Sequence, residues 1–163
     1  MFCPPPTIEE VQFDFGKVRH GVSSVRILVV DDSAQFRQFI CSTLRERNAL
    51  QVVGEAADGL EAVRRAVELQ PDLLLLDIGL PNLNGMEVAR RVHQLAPSAR
   101  ILFVSAESDA EVVSEALHLG AGYVHKPLVQ RDLLLAIEAV LRGEQFVSRD
   151  LGLNGRTDAS RRT

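Results

Sequence analysis

Between Val25 and Leu141 the chain repeats one unit five times: a short apolar run, then a longer segment whose apolar residues recur at helical spacing. That rhythm constrains the fold more than any other feature. Short apolar runs bounded by turn residues read as strands buried on both faces. Strand–helix units in series join into a parallel sheet through right-handed crossovers, with helices covering both faces. The strands are expected at residues 25–30, 51–56, 73–76, 100–104 and 123–126. The second alternates polar with apolar residues, which suits a sheet edge. Of the two familiar small solutions, half a Rossmann fold and the flavodoxin-like order, an edge second strand favours the flavodoxin-like α/β order 2-1-3-4-5.

The intervening stripes support this reading. Phe36, Phe39, Ile40, Thr43 and Leu44 share one helical face, and Leu133, Leu134, Ile137, Val140 and Leu141 share another. Asp58 to Glu61 and Ser108 to Glu111 read as capping boxes, while Gly120 and Gly143 read as helix stops. Val129 stands where a capping Ser or Asp is preferred, so the last helix starts weakly, by ~1 kcal/mol. Cys41 falls on the first helical stripe as a small buried residue, and Cys3 lies in the N-terminal segment. The two are too far apart in sequence to form a metal-ligand spacing.

Three segments follow: a flexible arm over residues 1–24, a domain over residues 25–142, and a polar, flexible tail over residues 143–163. In the arm, Val11, Phe13 and Phe15 alternate, but the proline run and the glycines disfavour regular structure. No apolar run reaches membrane-spanning length. Pro4, Pro5, Pro6, Glu9 and Glu10 stand where a signal peptide needs basic and then apolar residues, so a cytoplasmic location is expected. The formal net charge of −4 gives no reason to expect direct nucleic-acid binding.

Parallel strands bring their carboxyl ends to one edge, where chemistry sits in open α/β sheets. The first strand delivers Asp31 and Asp32 there, the third Asp77, the fourth Ser105 and the fifth Lys126. Clustered carboxylates repel one another unless a cation sits among them. An all-oxygen set without His or Cys points to Mg²⁺. An ammonium and a hydroxyl beside it complete a site that spreads positive charge around phosphoryl oxygens. Singly, each residue has a plainer role: either aspartate as a helix cap, Ser105 as a turn hydroxyl, Lys126 as a solvated lysine.

Together they resemble the response-regulator (CheY-like) receiver domain over about residues 25–141: the acidic pair, Asp77 in its apolar run, Pro81 and Gly85 behind it, Ser105-Ala106 and Lys126-Pro127. The resemblance implies that Asp77 accepts a phosphoryl group from a phosphohistidine on a sensor histidine kinase or phosphotransfer protein. It implies Mg²⁺ ligation by Asp32, Asp77 and the Gly79 backbone carbonyl, with Asp31 acting through water. Lys126 and Ser105 would contact the phosphoryl oxygens, Ser105 and Tyr123 would form a switch pair, and the Lys126–Pro127 peptide would be cis. The implied catalysis is limited to the domain's own phosphorylation and dephosphorylation. Gly79 and Glu107 depart from the family pattern at positions that flank the phosphoryl group.

Residues 52–59 and 120–123 are worded like receivers of LuxR-type transcription regulators, which continue into a helix-turn-helix. Two readings follow, a stand-alone receiver and a regulator whose DNA-binding half is missing; a phosphorylation-independent binding module is a third. The face built from residues 109–142 is the expected output surface and a possible homodimer interface, because Val112 and Leu119 extend its helix's apolar stripe beyond what a core face needs. Two rivals fit less well. A haloacid-dehalogenase-type phosphatase needs an Asp two places after its nucleophile, where this chain has Gly79. A nucleotide-binding module needs a glycine-rich first turn, where this chain has Asp31-Asp32-Ser33.

Overall fold

A computed structural model describes residues 24–149. In chain order the elements are β1 (Val25–Val30), α1 (Ala34–Arg45), β2 (Leu50–Ala56), α2 (Gly59–Leu69), β3 (Leu73–Leu76) and α3 (Gly85–Leu95). Then come β4 (Arg100–Ser105), α4 (Ala110–Leu119), β5 (Gly122–His125), a single 3₁₀ turn over Lys126–Leu128, α5 (Val129–Leu141) and β6 (Phe146–Val147). All neighbouring strands pair in parallel, in the order β2-β1-β3-β4-β5-β6. The expected order 2-1-3-4-5 is therefore present, with β2 at one edge and a sixth strand added at the other.

The sheet divides two cores because successive strand residues point to opposite faces. Ile27, Val29, Leu73, Leu75, Leu102 and Val104 pack under α1 and α5 with Ile40, Leu44, Leu133 and Ile137. Leu28, Val30, Leu74, Leu76, Ile101 and Phe103 pack under α2, α3 and α4 with Ala62, Val88 and Val113. All four residues of β3 are buried, as its unbroken leucine run requires. Cys41 is a free, buried thiol of the first core.

Several local expectations change in detail. Ser33, not either aspartate, caps α1: its side chain accepts the Phe36 N–H. Asp109, not Ser108, caps α4, accepting the N–H groups of Glu111 and Val112. Asp58 caps α2 as expected by accepting the Glu61 N–H, and α5 begins with no side-chain cap. Gly143 closes α5 at φ +82°, a left-handed conformation open to glycine at little cost. β5 ends at His125, so Lys126 stands in the following turn and not on the strand. No cis peptide occurs among the described residues, so the Lys126–Pro127 bond is trans, contrary to the expectation.

The expected tail is structured where it begins. Phe146 and Val147 pair with Gly122 and Tyr123, and Ser148 is buried. Two apolar residues are too few to show a period, yet they suffice to add an edge strand to a sheet already formed. Residues 1–23 and 150–163, which hold most of the expected arm and tail, lie outside the described residues.

Candidate phosphoryl site

The sheet reverses its winding between β1 and β3, where β1 has β2 on one side and β3 on the other. A crevice at the carboxyl ends forms at such a switch point. Register places Val30 beside Leu76 and Leu76 beside Phe103, so Asp31 and Asp77 leave the sheet side by side and Ser105 ends the next strand. Backbone bonds fix both aspartates: Asp31 N–H donates to Ala56 C=O at 3.1 Å, and Asp77 N–H to Val30 C=O at 3.1 Å. Carboxylate oxygens of Asp31, Asp32 and Asp77 all lie within 4.8 Å of one another. Asp31 and Asp77 are buried, whereas Asp32 is exposed.

Lys126 closes the cluster. Its Nζ lies 2.6 Å from Asp31 Oδ2 and 3.1 Å from Asp77 Oδ2, and 4.6 Å from the centroid of the Phe36 ring. Burial would lower the ammonium's pKa, but the two carboxylates outweigh it and hold Lys126 above the ordinary lysine value. Burial raises the Asp31 carboxyl above its ordinary value, against the lowering effect of Lys126 and the Ser33 N–H. That Ser33 N–H donates to Asp31 Oδ1 at 2.8 Å, and Arg37 donates to the Asp31 backbone carbonyl at 2.7 Å.

The loop after Asp77 is shaped by close approach. Gly79 is open: a Cβ there meets no atom within 4 Å, and its N–H lies 3.4 Å from Asp77 Oδ1. Gly85 is the reverse case. A Cβ on it would sit 2.1 Å from the Asp77 carbonyl oxygen, so α3 begins directly against the backbone that carries Asp77. The Gly85 of the sequence motif is thus a packing requirement of the site.

Ser105 is buried, and its Oγ accepts the Glu107 N–H at 3.2 Å. The Tyr123 ring is fully buried, stacked on Phe103 with centroids 6.3 Å apart, and its hydroxyl donates to the Glu107 carbonyl at 2.8 Å. Burial pushes the Tyr123 phenol up to about 12, against the opposing effect of the Ser105 hydroxyl. Ser105 and Tyr123 thus meet at Glu107, whose carboxylate turns away to accept the N–H groups of Ser108 and Asp109.

A family model for the response regulator receiver domain matches residues 27–138. This chain belongs to that family. Its receiver stretch is 43% identical over 106 residues to the protein-glutamate methylesterase/protein-glutamine glutaminase of Thermotoga maritima, 63% of this chain but 30% of that protein. It is 34% identical over 129 residues to the oxygen regulatory protein NreC of Staphylococcus aureus, 78% of this chain and 59% of that one. The chain therefore spans from under a third to about three fifths of these relatives' lengths. A solved LuxR-family two-component response regulator from an Aurantimonas species superposes with a TM-score of 0.77 at 32% identity, covering 85% of this chain and 99% of that one. Receivers of this family work in two-component signalling, and the fold and acidic cluster here are those of a receiver.

The residues singled out in the sequence divide cleanly. Asp31, Asp32, Asp77 and Lys126 converge; Ser105 and Tyr123 lie on the next two strands, β4 and β5, linked through Glu107; Gly79 stands open beside Asp77. Sequence reasoning missed Phe36, taken only as a core residue, although it lies under the Lys126 ammonium. It also missed Asp132 and Ser148, both buried. The apolar pair before Ser148 was the available signal.

Proposed function

We propose that this receiver takes a phosphoryl group onto Asp77 from a phosphohistidine of a sensor kinase or phosphotransfer protein. The observation that carries the reading is Lys126 Nζ lying within 3.1 Å of Asp77 and 2.6 Å of Asp31, inside a cluster of three carboxylates. A solvated lysine gains nothing from that arrangement; a lysine that balances a carboxylate nucleophile and its developing phosphoryl charge does. The donor set is all hard oxygen, and its mutual repulsion calls for a cation, so the residues fit Mg²⁺. Asp32 and Asp77, with the Gly79 carbonyl and Asp31 through water, would hold it. When bound, it would neutralise charge on the phosphoryl oxygens.

An Asp77 carboxylate oxygen attacks phosphorus as the P–N bond of the phosphohistidine breaks. The imidazole leaves with that electron pair, and an acyl phosphate forms. Lys126 exchanges an aspartate partner for a phosphoryl oxygen, and Ser105 turns from the Glu107 N–H to another. Those new contacts exist only in the phosphorylated state, so they bias a two-state equilibrium. The bias reaches the face of α4, β5 and α5 through Glu107, which both Ser105 and Tyr123 touch. The test is intact-mass analysis after Mg²⁺ and acetyl phosphate, beside Asp77→Asn. The parent should gain one phosphoryl group and the variant none; no gain in the parent overturns the reading.

A further inference from the structure

Five polar or charged residues are buried among those described: Asp31, Asp77, Ser105, Asp132 and Ser148. The proposed chemistry uses the first three. Asp132 and Ser148, 3% and 2% exposed, have no part in it. Burying a hydroxyl and a carboxylate costs free energy unless each is matched by a partner. Both are matched, and the pattern of partners is specific.

Ser148 Oγ donates to Asp132 Oδ2 at 2.7 Å and accepts the His125 N–H at 3.0 Å. Its own N–H donates to the Tyr123 carbonyl at 3.0 Å. Backbone pairing between β5 and β6 runs only through Gly122 with Phe146 and Tyr123 with Val147. Where that pairing ends, the Ser148 side chain takes over the N–H of the Val124–His125 peptide, one residue before Lys126. Asp132 orients the hydroxyl from the first turn of α5 and is itself gripped by the exposed Arg131 at 2.7 and 3.1 Å. Burial would raise the Asp132 carboxyl, but the bonds from Arg131 and Ser148 outweigh it and keep it below the ordinary value.

We infer that Asp132 and Ser148 are positioning residues: a buried latch that pins the Val124–His125 peptide, the backbone leading into Lys126, and so aims the Lys126 ammonium between Asp31 and Asp77. Ser148 lies beyond the stretch matched by the family model, which ends at residue 138. The segment after α5 is thus part of the apparatus that places the site lysine. A lysine side chain is long and flexible, so its reach depends on a fixed backbone origin. Displacement by ~1 Å at a reacting centre can cost up to about a hundredfold in rate.

The inference rests on the phosphoryl-transfer reading, and the experiment separates the two. Ser148→Ala, Asp132→Ala and Asp132→Asn are made in the whole chain. Phosphorylation by acetyl phosphate with Mg²⁺ is timed across donor concentrations, and amide hydrogen exchange is followed over residues 122–128. Both alanine variants should phosphorylate roughly five- to twentyfold more slowly, mainly through a higher KM for acetyl phosphate. Mg²⁺ affinity by calorimetry should hold, because the aspartates stand on β1 and β3. Exchange at His125 should quicken. Asp132→Asn removes the carboxylate's charge, and with it the burial cost and the ion pair to Arg131, but keeps a carbonyl acceptor for Ser148, so it should stay close to the parent and well above Asp132→Ala. Ser148→Ala reacting at the parent rate, or Asp132→Asn failing as badly as Asp132→Ala, overturns the latch. If the parent itself takes up no phosphoryl group, the functional reading falls, and exchange then decides the latch alone: unchanged exchange at His125 overturns it, and faster exchange supports the pinned backbone.

Discussion

At the scale of single residues, two positions near Asp77 make opposite demands on space and environment. Gly79 has open surroundings, and it stands exposed beside the carboxylate that would carry the phosphoryl group. An acyl phosphate there is open to water. Gly79→Met should place an apolar side chain over it and slow phosphate loss, by roughly two- to tenfold if one good contact's worth of ~0.5–1.4 kcal/mol is gained. Timed loss of the mass increment reads this, and an unchanged rate sinks the idea. Tyr123 is the enclosed counterpart, and the chain has 1 tyrosine, so its titration is spectroscopically clean. Burial raises its folded phenol to about 12, above the ordinary tyrosine value of about 10. The folded state therefore holds its proton where the unfolded state has released it. That contribution is fully present below about pH 10 and is lost as pH rises to about 12, a loss of roughly 2–3 kcal/mol. Tyrosinate absorbance should appear together with unfolding; free ionisation near 10 in the folded protein would contradict the buried ring.

At the scale of elements, the sequence was most readable where burial dictates residue type. β3 had to be a doubly covered strand because Leu73 to Leu76 leave no polar face, and the strand-end residues followed from that. Boundaries and caps were less readable, since Ser33, Asp109 and their neighbours all have side chains able to cap and only backbone geometry chooses among them. Lys126 falls in a turn because Pro127 cannot donate to a strand ladder. β6 was illegible because Phe146 and Val147 acquire strand character only from the β5 edge already in place. Gly85 shows an element constraint of a different kind. Its added Cβ would collide with backbone, which cannot swing aside as a side chain can. Gly85→Ala should therefore shift the start of α3 against Asp77, costing about 3 kcal/mol, lowering Tm by roughly 5–15 °C and slowing phosphorylation. Gly79→Ala, with space around it, is the control and should leave Tm nearly unchanged.

At the scale of the whole molecule, no helix among the described residues is long and apolar enough to cross a membrane. The proposed switch acts through the surface that phosphorylation of Asp77 would change. The sequence suggested Val112 and Leu119 as surplus apolar residues on the face spanning residues 109–142. In the fold both are partly buried against the core beneath α4, and the large apolar side chain that this face exposes is Leu135, at 50%. Self-association through this face would then centre on α5 near Leu135, not on α4. We expect the phosphorylated protein to sediment with a larger mass than the unphosphorylated one, and Leu135→Glu to abolish the difference while leaving Asp77 phosphorylation intact. Equal self-association of the two forms would remove dimerisation as the output. Linkage adds a second, independent check. If phosphorylation strengthens association by some factor, association must favour the phosphorylated form by the same factor. The phosphorylated fraction at fixed donor should then rise with protein concentration in the parent and stay flat in Leu135→Glu.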